Sequence, residues 1–174
     1  MLRPAIALAA TTLLLALPAR AEVVDSQPGG FASRHVVTVQ APREKVYATL
    51  MDIATWWNPS HSWSGKAENL SLNLADHCFC EALPKGSVRH MEIVYVDGRG
   101  ALHLAGALGP LQTTGASGHL NFALKDAKGV TELTVTYDVG GYAQGGLGPV
   151  WAAPVDGVIG EQVGRLKARV EAQP

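Results

Sequence analysis

Period-two alternation of apolar and polar positions dominates the middle of the chain. Leu102, Leu104, Gly106 and Leu108 alternate against Ala101, His103, Ala105 and Ala107; Leu120, Phe122 and Leu124 against His119 and Asn121; Leu133, Val135, Tyr137 and Val139 against Thr134, Thr136 and Asp138. Successive side chains on a strand point to opposite faces, so each run predicts a strand that turns its larger apolar set toward a core. Asp97-Gly98 and Lys128-Gly129 supply turn chemistry between runs. Arg34 to Gln40 predicts a first strand, Asn69 to Leu74 another with Leu70, Leu72 and Leu74 on one face, and Cys78 to Leu83 a further one. Ser87 to Asp97 is less decided. Val88, His90, Glu92, Val94 and Val96 share one face, Arg89, Met91, Ile93 and Tyr95 the other, and neither is cleanly polar.

The period changes twice. After Pro42, which suits a first helical turn, Val46, Leu50 and Ile53 recur at spacings of four and three and predict a short helix, with a second turn closing on Trp56-Trp57. Asn58-Pro59 is expected to stop any helix before His61. From about Pro154 to Ala172, the residues Val155, Val158, Ile159, Gln162, Val163, Leu166 and Val170 form one stripe, with Glu161, Lys167 and Arg169 away from it. That is an amphipathic C-terminal helix. Its Gly157, Gly160 and Gly164 each cost about 0.5–1 kcal/mol relative to alanine, which implies close packing on the sheet or a helix that moves.

Residues 1–21 read as a cleaved secretory signal: Arg3 at the start, an apolar run from Ala5 to Leu17, and Ala19-Arg20-Ala21 at the cleavage position. The run is too short to span a bilayer, so no stable membrane span is expected after cleavage. The expected product is an exported protein beginning at Glu22, periplasmic in a Gram-negative source and secreted otherwise. Removing residues 1–21 takes away Arg3 and Arg20, leaving 12 basic against 15 acidic side chains, a formal charge of −3. That balance gives no support to nucleic-acid binding, which needs a basic face. Residues 22–33 are expected to be a loosely held arm, and residues 34–174 one domain.

Three of the four tryptophans, Trp56, Trp57 and Trp63, fall within eight positions of the segment Ala41 to Gly65. Aromatic surface gathered so tightly seals a core or walls a cavity. The order is an extended run ending in Ala41-Pro42, then Arg43-Glu44-Lys45-Val46-Tyr47 opening a helix, then a turn closing on Trp56-Trp57. It resembles the START-like (SRPBCC) superfamily of helix-grip proteins, which includes polyketide cyclases, pollen-allergen-type ligand carriers and relatives of the Hsp90 ATPase activator. The resemblance implies an α+β fold: a curved antiparallel sheet wrapped around a long C-terminal helix, two short helices after the first strand, and an apolar cavity between sheet and helix. It also implies a small apolar ligand or lipid as partner, with Trp56, Trp57, His61, Trp63, His90, Tyr137, Tyr142 and Trp151 as candidate ligand contacts. The alternatives within the superfamily are a cyclase- or dehydratase-like enzyme using His90 and Glu92, or His61, as acid and base, and a protein-binding module.

The remaining motifs narrow the chemistry. Cys78 and Cys80 are the only cysteines. On a regular strand their Cα atoms would stand about 6.6 Å apart, near the upper limit for a disulfide, so pairing calls for a bulge or turn, while export favours it. The spacing is not the redox Cys-x-x-Cys. His77-Cys78-Phe79-Cys80-Glu81 with His90 offers soft ligand types but no recognised metal spacing, and no metal is expected. Gly115-Ala116-Ser117-Gly118 lacks the nucleophile-elbow pattern. Gly140 to Gly148 has no following Gly-Lys-Ser/Thr, so it is no phosphate loop and no cofactor is expected; it reads as a flexible gate beside the C-terminal helix.

Overall fold

The computed structural model describes residues 20–173; the expected signal segment therefore lies almost wholly outside the described residues. Eight strands form one antiparallel sheet: β1 (Arg20–Gln27), β2 (Gly30–Val39), β3 (Leu70–Asn73), β4 (Cys78–Leu83), β5 (Gly86–Val96), β6 (Ala101–Gly106), β7 (Gly115–Ala127) and β8 (Val130–Tyr142). Their spatial order is β1-β2-β8-β7-β6-β5-β4-β3. Two helices complete the fold, α1 (Arg43–Met51) between β2 and β3, and α2 (Leu147–Ala172) at the C-terminus. The sheet curves around α2 in a helix-grip arrangement.

The alternation read from the sequence sets the inner face. Leu102 and Leu104 on β6, Leu120, Phe122 and Leu124 on β7, and Leu133, Val135, Tyr137 and Val139 on β8 are all buried in one core. Across from them α2 buries Ala152, Ile159, Val163, Leu166 and Val170. Burying a Leu, Val or Ile side chain contributes roughly 1.5–3 kcal/mol, so this sheet–helix layer supplies most of the driving force.

Several expectations are corrected. Residues 22–33 are not a loose arm: β1 and β2 pair as a hairpin, with Gln27 opposite Gly30. The first strand of the expected pattern is thus the second of the sheet, and it starts at Gly30 rather than Arg34. Its inner face carries Phe31, Ser33, His35, Val37 and Val39. The second short helix is a pair of 3₁₀ turns, Ile53–Thr55 and Pro59–His61, so Asn58-Pro59 opens a turn that contains His61. The Asn58 side chain caps it by accepting the Ser60 N–H. Leu74 lies beyond β3 and is exposed, leaving Leu70 as the buried residue of that strand.

α2 begins at Leu147, seven residues before Pro154. The glycine-rich segment is built into its surroundings rather than free: Gly140 and Gly141 belong to β8, the Gly141 N–H donates to Gly29 O, and the Leu147 N–H donates to Pro28 O. Gly148 sits so close to the β1–β2 turn that a Cβ there would stand 2.5 Å from Gln27 O. These contacts fix where the helix enters, and with it one wall of the cavity described next.

Candidate functional site

β5 explains the site. Phe79 pairs with Met91 while Cys80 pairs with Arg89, so His90 is an extra residue, a bulge; a second bulge falls at Val94. A bulge reverses the phase of alternation. Both His90 and Met91 therefore turn inward, while Glu92 faces solvent. The expected His90–Glu92 pair does not exist. The bulge is held from outside by Gln112, whose amide donates to the Arg89 and His90 carbonyls at 3.0 and 3.3 Å.

The true partner of His90 is Glu81 on β4. His90 Nε2 lies 2.9 Å from Glu81 Oε2, with His90 5% exposed and Glu81 fully buried. The Glu81 carboxylate also accepts the backbone N–H groups of Trp63 (3.0 Å) and Ser64. Burial pushes the Glu81 carboxyl up, but hydrogen bonds from Ser64, Trp63 and His90 outweigh it and hold it below its ordinary range. Burial pushes His90 down, against the opposing pull of Glu81, and the net shift is downward. The pair is therefore a carboxylate and a neutral imidazole at neutral pH. Because a carboxylate only accepts, the proton of that imidazole sits on Nε2.

His90 lies at the floor of a cavity of about 410 Å³ between the 57–63 segment, the Leu108–Pro110 loop and the first half of α2. Trp57, Trp63 and Trp151 supply aromatic wall, and Leu108, Val155, Val158 and Ile159 aliphatic wall; Ser60, His61, Ser62 and His90 are its polar side chains. An aromatic file, Trp56–Trp57–Phe79–His90, with successive ring centroids 5.6, 5.4 and 4.8 Å apart, backs one side. The 57–63 segment is fastened to α2: the Asn58 N–H donates to Gln162 Oε1 at 2.8 Å, Arg165 Nε donates to Trp56 O at 2.8 Å, and His61 Nε2 meets Glu161 Oε2 at 3.0 Å. Asn58 also donates to Glu161, and this bond, then that to His61, holds the Glu161 carboxyl low.

Of the candidate contacts, Trp57, His61, Trp63, His90 and Trp151 share this cavity, Trp63 at its mouth with 52% exposure. Three do not line it. Trp56 is buried behind Trp57, its indole N–H donating to Leu50 O. Tyr137 is fully buried, pushed up to about 12 by burial, and its hydroxyl accepts the Leu108 N–H and donates to Gly106 O, so it supports the loop at the cavity rim. Tyr142, at the end of β8, is 74% exposed. Glu81 was missed as a site residue, although period two places it on the face of Phe79, which is buried. Cys78 and Cys80, just before it, are disulfide-bonded with Cα atoms 5.3 Å apart.

No family model matches the sequence, and neither does any curated protein. Solved structures do match in shape. Ara h 8.0201 aligns over 83% of this chain and 100% of its own, with 10% identity and a TM-score of 0.58. EF2215 of Enterococcus faecalis, a protein of unknown function, aligns over 88% of this chain and 77% of its own, at 15% identity and a TM-score of 0.57. A Geobacillus kaustophilus protein aligns over 80% and 94%, at 15% identity and 0.56. At such identities the likeness is one of fold, and the class it defines is that of α+β helix-grip proteins.

Proposed function

We propose that this chain is an exported member of the START-like superfamily that binds one small apolar ligand or lipid between its sheet and α2. The observation that carries this reading is the cavity itself: about 410 Å³, walled by three tryptophans and the apolar stripe of α2. That volume falls in the range of small-molecule sites, and its make-up, apolar walls with a few convergent polar groups, is theirs as well. Titration with Nile red tests it. Saturable one-to-one binding is expected, weakened at least tenfold by Val158→Trp, which fills the cavity from α2. Unsaturable binding, or binding indifferent to that substitution, would remove the proposal.

A second reading, a cyclase- or dehydratase-like enzyme, draws on the Glu81–His90 pair. A neutral imidazole oriented by a buried carboxylate is the arrangement of a general base. It differs from the expected pair in its carboxylate, Glu81 in place of Glu92. Turnover of a supplied substrate, lost in both His90→Ala and Glu81→Gln variants that remain folded, is its signature.

A further inference from the structure

The hydrogen-bonding sense of the cavity floor narrows the ligand further, on the basis that the cavity is a ligand site. His90 commits Nε2–H to Glu81 Oε2 at 2.9 Å. Its tautomer is therefore fixed, leaving on this cavity-lining ring an Nδ1 lone pair, an acceptor with no hydrogen bond from any described residue. Flipping the ring would turn Nε2 away and cost the buried Glu81 carboxylate one of its three donors. Phe79, packed on the ring at a 4.8 Å centroid distance, holds its plane. Of the other polar side chains of the cavity, the Ser62 hydroxyl donates to Pro59 O and His61 is engaged by Glu161, while the exposed Ser60 hydroxyl, able to donate and to accept, sets no preference.

We infer that the ligand is an apolar, aromatic-compatible molecule carrying a hydrogen-bond donor, a phenolic or alcoholic hydroxyl, which it presents to Nδ1 of His90, while Glu81 sets that preference as a positioning residue. A ligand that offers only an acceptor would set two lone pairs facing each other, and one with neither would gain no hydrogen bond from Nδ1. Burial keeps His90 neutral, so this acceptor persists at neutral pH.

Equilibrium dialysis of the full chain against 2-naphthol and its methyl ether, 2-methoxynaphthalene, tests this with two probes of one aromatic frame. Wild type is expected to bind the naphthol about tenfold more tightly than the ether, the scale of one hydrogen bond in such a site. In His90→Phe the ratio should fall to about one. In Glu81→Gln the amide N–H can donate to Nε2, moving the ring proton to Nδ1, and the ratio should also collapse. Equal binding of both probes by wild type, or a ratio that survives either substitution, overturns the inference while leaving the cavity a ligand site. Binding of neither probe counts against the ligand site itself.

Discussion

Removing the Glu81 carboxylate is expected to be far more damaging than its place on a surface-near strand suggests. Glu81→Ala would orphan three donors at once: Nε2–H of the buried His90 and the part-buried backbone N–H groups of Trp63 and Ser64. A buried donor left without a partner costs about 1–3 kcal/mol. Partial relaxation of the Trp63–Ser64 loop recovers some of this, so the net loss should be about 3–5 kcal/mol. Against a total stability of about 5–15 kcal/mol, that is a large fraction. Glu81→Gln keeps an acceptor for the loop and should cost less, about 1–2 kcal/mol. Glu92→Ala is the internal control: the side chain is exposed, and the change should stay within about 0.5 kcal/mol. Urea unfolding at pH 7, followed by far-ultraviolet circular dichroism, measures all three. A Glu81→Ala variant within about 1 kcal/mol of wild type, or one no worse than Glu92→Ala, would refute the placement of Glu81 at the centre of this network.

Acid should weaken the protein in two stages. His90 has a folded pKa below its unfolded value, so its unfolded form takes up protons first and stability is lost as pH falls below about 6.5. Glu81 is likewise depressed; its contribution is complete above the unfolded carboxylate value of about 4.3 and is lost as pH falls further. His90→Phe should flatten the upper stage, which chemical denaturation at stepped pH would show; an unchanged slope between pH 5 and 6.5 would contradict the assignment. Replacing both Cys78 and Cys80 by serine should cost no more than about 2 kcal/mol, because the bridge closes a very short loop, and a loss above 4 kcal/mol in urea would show a larger role. Gly148→Ala should destabilise by about 1–3 kcal/mol by pushing α2 off the β1–β2 turn, and a neutral effect on the thermal midpoint would mean that the two do not pack as closely as described.

Much of the sheet was legible because β6, β7 and β8 keep strict period two over their buried residues, and the stripe of α2 keeps its helical period from Val155 to Val170. What escaped has local causes. β1 is an edge strand whose Val23 and Val24 are adjacent among polar residues, so it carries no apolar alternation, and only the Pro28-Gly29 turn marks the hairpin. The start of α2 was hidden by glycines on one side and by Pro154 on the other; Pro154 sits within the helix at an exposed position, where the carbonyl it leaves free can meet water. His35 also went unread. It faces inward from β2 and meets Asp156 of α2 at 2.9 Å, a polar contact inside the grip.

The site was legible in part for the same reasons. Trp57, His61, Trp63, His90 and Trp151 converge although they come from three separate stretches of chain, because the 57–63 segment is clamped to α2, which supplies a wall of the cavity that His90 lines. The choice of carboxylate failed because period-two extrapolation cannot cross a bulge. One extra residue at His90 turns Glu92 to solvent and leaves the inward position beside it to Glu81.

Whether the cavity holds one small apolar ligand can be read by native mass spectrometry of the full chain recovered from the cells that make it. A single additional mass, bound one to one, released on denaturation and absent from the Val158→Trp variant, is the expected result. Repeated spectra of unliganded protein from cells and after incubation with 2-naphthol, or an adduct equally abundant on the filled variant, would contradict it.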